Sequence, residues 1–272
     1  MGLSRSSYYY ESKKDRSSDL ELADKINDIA LKYPYYGYRR VTAELKRQNI
    51  VINHKKVYRI MRDNNILCKI KKSFKRTTNS AHSYKKYKNL IKDIIPQCIN
   101  QVWNANITYI RILTSFVYLA IVIDAYSRKI VGYSLGKTLS ADLTIEALKD
   151  AIVKRDVSDL IHHSDCGIQY CSNRYVNILN ENHIKISMSD KASPYDNSII
   201  ESFFRTLKVE EVYMFNYETY RDVIERIPYF IEEVYNKKRL HSSLGYMPPE
   251  EFESKINYSK IKKSEVRQLV LT

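Results

Sequence analysis

A chain of 272 residues, 44% of them hydrophobic, has enough apolar material for about two cored domains, and with six Gly and six Pro it is not a low-complexity sequence. No apolar run approaches the roughly 20 residues that span a bilayer, and the N-terminal MGLSRSSYYY lacks a signal-peptide core, so a cytoplasmic protein with no membrane partner is expected. The formal charge is +14, and all of it lies in the first hundred residues, which carry 23 Lys and Arg against 9 Asp and Glu, while the remainder carries 22 of each. A surplus concentrated in this way attracts polyanions, nucleic acid first. The plainer reading of the same residues is a solvated basic linker.

In chain order, residues 1–67 read as a small helical domain. Leu22, Ile26 and Ile29 mark one face of a first helix. A turn-like break at Tyr33–Gly37 precedes a second helix over Arg39–Gln48, with Val41 and Leu45 on one face. Asn53 reads as the N-cap of a third helix whose inner side is Val57, Ile60 and Met61 and whose outer side is Lys55, Lys56, Arg59 and Arg62. A basic third helix after a short connection is what a helix-turn-helix needs to meet phosphates and base edges. The alternative is a three-helix scaffold with a soluble basic face.

Residues 68–97 read as a basic linker with room for one helix; between Asn64 and Lys92 there are nine Lys and Arg and no acid. Residues 98–215 read as an α/β domain. Strands are expected at Val102–Ile110, Phe116–Ile123 and Lys129–Leu135, their short connections implying antiparallel neighbours. A helix capped by Ser140 follows, then a strand at Leu160–Ser164, a helix at Tyr175–Asn180, a strand at Ile184–Met188 and a long helix at Asp196–Tyr213. Residues 216–272 read as a helical C-terminal region, clearest at Tyr217–Tyr235.

Cys68, Cys98, Cys166 and Cys171 are too irregularly spaced for a disulfide framework. His162, His163, Cys166 and Cys171 cluster in sequence, but without the close cysteine pairs of zinc modules, so packing is the better reading.

Three positions carry the chemical interest. Asn106 lies in the first strand, Asp165 just past the fourth in HHSDCGIQY, and Glu201 in the helix DNSIIESFFRTLK. Acids from neighbouring strand ends and a helix can converge on divalent cations, hard ions that prefer carboxylates and serve phosphodiester chemistry. In the helix, Asn197, Glu201, Arg205 and Lys208 form a polar stripe opposite Ile200, Phe203 and Leu207. The bland readings are an ion pair Glu201–Arg205 on a solvated face, and a turn-forming Asp165 before Gly167.

The runs WNANITYI, FVYLAIVIDAYSRKIVGYSL, HHSDCGIQY, SMSDKASPYDNSIIESFFRTLKVE and YNKKRLHSSLGYMPPEEF are similar, in order and spacing, to the integrase-type catalytic core of insertion-sequence transposases of the second-open-reading-frame type. YYGYRRVTAELKRQNIVINHKKVYRIMRDNNI resembles the helix-turn-helix that precedes that core, and the resemblance covers roughly residues 30–253. It implies a ribonuclease-H-like mixed five-stranded sheet with flanking helices, preceded by a small all-α domain. It implies a triad of two aspartates and a glutamate holding Mg2+, with Mn2+ as a substitute, and strand cleavage and strand transfer on double-stranded element-end and target DNA. A homo-oligomer on DNA and a nucleoid-associated location follow from the same resemblance.

The second aspartate of that triad falls on Asp165 and the glutamate on Glu201, 36 residues on; the first falls on Asn106. Asparagine keeps the shape of aspartate but presents one neutral oxygen, so the sequence as written is expected to fold and bind DNA while being catalytically impaired. Asp124, at the far end of a neighbouring strand, is not expected to replace it. Either a deliberate inactivation or a decayed copy explains Asn106; Cys166 after Asp165 and the stretch SDKAS are further departures, and such scatter favours decay. His163 is a candidate supporting residue, either orienting a metal-bound water or filling the strand end. Asn197, Arg205 and Lys208 are candidate DNA contacts beside the catalytic positions, with helix capping as the alternative for Asn197. Tyr235, Asn236, Arg239 and His241 read either as bracing the core or as touching DNA, with packing the better reading. The competing function is a non-catalytic DNA-binding regulator or inhibitor of transposition; a different nuclease on the same fold is a third reading, which the motif order opposes.

Overall fold

The computed structural model describes residues 17–68, 84–190 and 197–258. The chain divides into two compact units on either side of residue 70.

The first unit is three helices: α1 (Ser17–Lys32), α2 (Tyr38–Arg47) and α3 (His54–Asp63). Leu22, Ile26, Ile29, Val41, Leu45, Val57, Ile60 and Met61 are buried, the positions that the helical spacing selects, and Tyr36 of the intervening turn is buried with them. Asn53 caps α3 by accepting from Lys55 N at 2.9 Å. Helices α2 and α3 both run out on an asparagine with positive φ, Asn49 at 62° and Asn65 at 56°, and the following amides return to Leu45 O and Met61 O, each at 2.9 Å. These left-handed residues end the helices without glycine.

The second unit is built on a five-stranded sheet: β1 (Val102–Arg111), β2 (Phe116–Asp124), β3 (Ile130–Gly136), β4 (Ile161–Ser164) and β5 (Lys185–Met188). The spatial order is β3-β2-β1-β4-β5. The pairs β1–β2 and β2–β3 are antiparallel, while β1–β4 and β4–β5 are parallel. The helices are α4 (Ala141–Lys154), α5 (Ile168–Cys171), α6 (Asn173–Glu181), α7 (Ser198–Leu207) and α8 (Tyr220–Tyr229), followed by a helix over 249–258. This is the mixed sheet with flanking helices that the resemblance implies.

Strand alternation gives β1 two faces. Trp103, Ala105 and Ile107 pack with Leu143, Leu148, Tyr175 and Leu179 of α4 and α6. The opposite face, with Ile110 beside Leu119, Ile121 and Ile123 of β2, packs under Ile200, Phe203 and Leu207 of α7. Helix α4 sits so close on β3 that a Cβ at Gly132 would lie 2.2 Å from Ala147 O, so only glycine fits there.

Several expected boundaries move for local reasons. Residues 84–97 contain no helix; they run beside β5, where Leu90 N donates to Ser187 Oγ at 2.8 Å. The rest of the expected linker, 69–83, lies outside the described residues. The expected helix start at Asp196 also lies outside them. Asn197 has φ −108°, and α7 turns π-helical at Lys208–Val212. Helix α8 begins only at Tyr220, because Thr219 and Asp222 form a reciprocal capping box, and it carries Pro228 before a π-helical stretch over Phe230–Asn236. Ser140 stands at the N-cap of α4 but makes no side-chain cap bond. Among the described residues no helix is long and apolar enough to cross a membrane.

Two buried polar residues in this unit have measurable consequences. Asn104 is 1% exposed, and neither its amide nitrogen nor its oxygen has a partner among the described residues. A buried polar group without a partner costs about 1–3 kcal/mol, so Asn104→Leu, a near-isostere, is expected to stabilise the protein by roughly that amount in urea denaturation. His162 is 1% exposed, and burial pushes its imidazole pKa down to about 3. The unfolded chain takes up that proton near pH 6.5 and the folded one does not, so this contribution is complete above pH 6.5 and is lost as pH falls towards 3, at about 1.4 kcal/mol per pH unit. Chemical denaturation between pH 7 and 5.5 checks it: His162→Phe should show a flatter pH dependence than the parent, whatever its absolute stability.

Candidate active site and nucleic-acid interface

Strand β4 is four residues long and β1 is ten, and their pairing ends at Ala105 opposite Ser164. One step further along each chain stand Asn106 and Asp165. Both line a cleft of about 1170 Å³ that opens where β4 stops and the edge of β1 is left uncovered. The sequence thus delivers two of its three candidate positions to one place.

Asn106 is half-buried and lies on the α7 face of the sheet, opposite Ile121 of β2. Its Oδ1 accepts from Ile107 N at 2.7 Å, which leaves one lone pair on the single oxygen it could offer a cation. Asp165 Oδ1 accepts from Gly167 N at 2.9 Å, so the turn-forming reading of this aspartate is realised, and its second oxygen is not used by that turn. A Cβ on Gly167 would lie 2.9 Å from Asp165 Oδ1. Glycine therefore leaves the room in which the carboxylate folds over its own turn.

Glu201 belongs to α7, which packs on the same face of β1, but it is exposed and is not part of the cleft lining. The expected alternative, an ion pair with Arg205 one turn on, is not formed among the described residues. Partial burial raises the Glu201 carboxyl above its usual range, and among the described residues no neighbouring cation offsets it. A carboxylate held in this way gains more from an added cation than a paired one does. Among the described residues no three His, Cys, Asp or Glu side chains group as metal ligands. The donors available, two carboxylates and one amide oxygen, fit a hard divalent cation, with one anionic ligand fewer than a pair of such ions calls for.

Asp124 does not stand in. It pairs with Trp103, three residues from Asn106, is fully buried, and accepts from Asn100 N, Tyr126 N and Ser127 N at 2.6, 2.9 and 2.7 Å. It organises the turn after β2.

His163 is fully buried. Its Nδ1 meets Ser187 Oγ at 2.8 Å and its Nε2 meets Ser189 Oγ at 3.0 Å, and Asn197 Nδ2 donates to the same Ser189 Oγ at 3.0 Å. The chain of bonds ties β4 and β5 to the first residue before α7, one helical turn from Glu201. The pattern in sequence marked His163 and Asn197, but the serines that join them were not legible there. Asn197 makes no side-chain cap bond, and at 7% exposure it is not part of a solvated stripe. Arg205 is exposed, and the Lys208 ammonium stands 4.8 Å from the centre of the Tyr109 ring.

The residues expected to brace the core do so. Tyr235 packs edge-on against Phe203 and His241, Asn236 both accepts from and donates to the backbone of Ile130, and Arg239 grips Glu210 with two bonds of 2.8 and 2.7 Å. The His and Cys cluster is packing too: His162 Nε2 meets Tyr175 OH at 2.9 Å, and Cys171 lies against Met188.

In the helical unit the four basic residues of α3 differ in their freedom. Lys56 and Arg59 both pair with Asp19 at 2.6 Å, and Arg62 pairs with its neighbour Asp63 at 3.1 Å. Lys55 is exposed. The Lys56 and Arg59 cations hold the Asp19 carboxyl below its ordinary pKa, hydrogen bonding from Lys56 foremost.

The HTH-like domain family matches residues 17–74, and the integrase core domain is matched in two parts, residues 96–194 and 182–249. The insertion element IS600 uncharacterized 31 kDa protein of Shigella sonnei is 37% identical over 93% of this chain and 96% of its own length. The transposase for insertion sequence element IS904 of Lactococcus lactis is 36% identical over 85% of this chain and 93% of its own. Transposase InsF for insertion sequence IS3A of Escherichia coli is 36% identical over 81% and 77%. Among solved structures, the catalytic core domain of BIV integrase covers 60% of this chain and 99% of that one, at 19% identity and a TM-score of 0.44. The catalytic domain of Mos1 mariner transposase covers 49% and 71%, at 13% identity and a TM-score of 0.39. The sheet, with its flanking helices and preceding helical unit, is that of a ribonuclease-H-like, integrase-type core. The chain belongs to the insertion-sequence transposases of the IS3 family.

The Asp165 turn and the Asp19 ion pairs are each open to test. Gly167→Ala should displace the Asp165 carboxylate and weaken Mn2+ binding by about tenfold with little change in melting temperature, because the clash falls on a side-chain end and not on the fold. Isothermal titration beside a thermal melt reads both quantities. Asp19→Asn should release Lys56 and Arg59 and steepen the salt dependence of DNA affinity by about 0.9 for each phosphate they newly engage, up to about two phosphates. An unchanged slope in a fluorescence-anisotropy salt series would exclude that role.

Proposed function

We propose that this protein is a transposase that binds double-stranded DNA at element ends and target, and that its catalytic core is impaired by Asn106. The observation that carries the reading is the meeting of Asn106 and Asp165 at the mouth of one cleft; the family resemblance assigns Asn106 the position of a metal-binding carboxylate.

In this reading Asp165 and Glu201 hold Mg2+, or Mn2+ in its place, with Asn106 contributing at most one neutral oxygen. When bound, the divalent ion activates a water or a 3′-hydroxyl and stabilises the oxygen that leaves the phosphorus. The chain's own residues do the rest. Gly167 orients Asp165, the His163–Ser189–Asn197 bonds fix the start of α7, and Arg205 and Lys208 meet the phosphates beside the reacting bond. In the helical unit Lys55, Lys56, Arg59 and Arg62 of α3 supply phosphate contacts, so affinity falls steeply with salt. Joining two element ends calls for a homo-oligomer on DNA, working at the nucleoid. The second reading, a DNA-binding regulator that occupies ends without cleaving them, is favoured by the same Asn106.

Plasmid nicking in Mn2+ separates the two. Asn106→Asp should raise nicking by on the order of 100-fold or more over the parent, the loss typical of removing one electrostatic group from a transition state. Adding Asp165→Ala to that variant should abolish the gain. If neither protein nicks, the impairment does not reside at Asn106 alone and the regulator reading takes its place; if both nick equally, the impairment itself is excluded.

A further inference from the structure

Beyond Asn106 and Asp165 the cleft continues along the part of β1 that β4 leaves uncovered, and its walls change character. Tyr109, Phe116, Tyr213 and Phe215 supply rings, and Arg111 and Lys208 supply cations. Phe116 is 44% exposed, Tyr213 46% and Phe215 40%. Tyr109 meets Phe116 edge-on at 5.3 Å and carries Lys208 over its ring, so these groups form one continuous surface. Arg111 is exposed and has no ion-pair partner among the described residues. At about 1170 Å³ the cleft exceeds the roughly 300–1,000 Å³ of an ordinary small-molecule site.

Rings interleaved with cations suit a single-stranded nucleic acid. Every base has a face that stacks on an aromatic ring, and every phosphate finds a cation. Duplex DNA hides its base faces and would use only the cations. We infer that this groove receives unpaired nucleotides of the DNA strand adjoining the reacting phosphodiester, with bases against Phe116 and Tyr213 and phosphates against Arg111 and Lys208. The inference rests on the DNA reading above and adds the strandedness of the substrate at the site. A peptide strand adding to the open edge of β1 fits less well, because the Ile107 N–H is already taken by Asn106 Oδ1 and the cations answer a polyanion. The groove's acids are Asp165, which belongs to the metal site, and Glu218.

The test uses the full chain and two labelled DNAs of the same sequence, one blunt and one with three unpaired nucleotides at the end, compared by fluorescence anisotropy. The tailed DNA should bind at least about fivefold tighter, and the double variant Phe116→Ala/Tyr213→Ala should lose that preference while keeping blunt-duplex affinity and melting temperature. Arg111→Ala should lower the salt slope for the tailed DNA by about 0.7, the single-strand value for one phosphate. Equal affinity for the two DNAs, or a preference that survives the double variant, overturns the inference and leaves the DNA reading standing. Absence of binding to either DNA overturns both. A dimer in sedimentation that dissociates in the double variant, with no tail preference in the parent, would give the groove to a second copy of the chain and overturn the inference as well.

Discussion

The site depends on a mismatch of length between two paired strands. β4 covers only Val102–Ala105 of β1, and from Asn106 onward β1 has an open edge in the interior of the sheet. Uncovered strand edges carry unpaired backbone groups and invite unwanted pairing. Here the first of those groups, Ile107 N–H, is satisfied by the Asn106 side chain, and the rest of the edge becomes the wall of a cleft. A β4 as long as β1 would fill that cleft with backbone. Asp165 reaches its mouth because the chain leaves the sheet there and folds back through Gly167.

Much of this was legible in the residues, and the part that was not has a physical cause. The strands of the core announce themselves because β2 reads as a near-continuous apolar run and β1 alternates Trp103, Ala105 and Ile107 with polar residues, and the three helices of the first unit because each has a clean apolar stripe. Helix ends moved where capping chemistry outweighed periodicity, as at Thr219 and Asp222 ahead of α8. Asn106, Asp165 and Glu201 were named from motif order, yet their spacing could not reveal that two line the cleft and the third stands outside its lining. Ser187 and Ser189 escaped notice entirely, since serine in a short strand carries no signal until the fold sets it against His163.

Asn104 and Asn106 show how differently one fold can treat the same residue type. They lie two positions apart on one face of β1. Asn106 meets a backbone amide that needs an acceptor, so an amide oxygen serves the fold as well as a carboxylate would. The fold asks for one oxygen; metal-dependent phosphodiester chemistry asks for two and a negative charge. In the proposed reading, a change from acid to amide there leaves this backbone bond in place and removes the charge that a cation would need. Asn104 is the reverse case: both of its polar atoms are buried without partners among the described residues, so the fold bears the cost and the cleft is unaffected.

The charge of the first hundred residues needs the same distinction between what is counted and what is available. Formal charge treats every lysine and arginine as free to meet a phosphate. In the helical unit Asp19 engages Lys56 and Arg59, and Asp63 engages Arg62, so most of the positive face of α3 is already answered from within. Ion pairs in contact with solvent, half-buried at Asp19 and open at Asp63, are worth little to stability. A polyanion can therefore take the cations over at small cost, exchanging one carboxylate for a row of phosphates. In the proposed DNA reading the carboxylates set the threshold for binding: a ligand with a single negative charge gains little by displacing Asp19, whereas a DNA backbone would engage Lys55, Lys56, Arg59 and Arg62 together. On this argument the acids in the basic unit do not weaken the DNA reading; they make it selective for long polyanions over small anions.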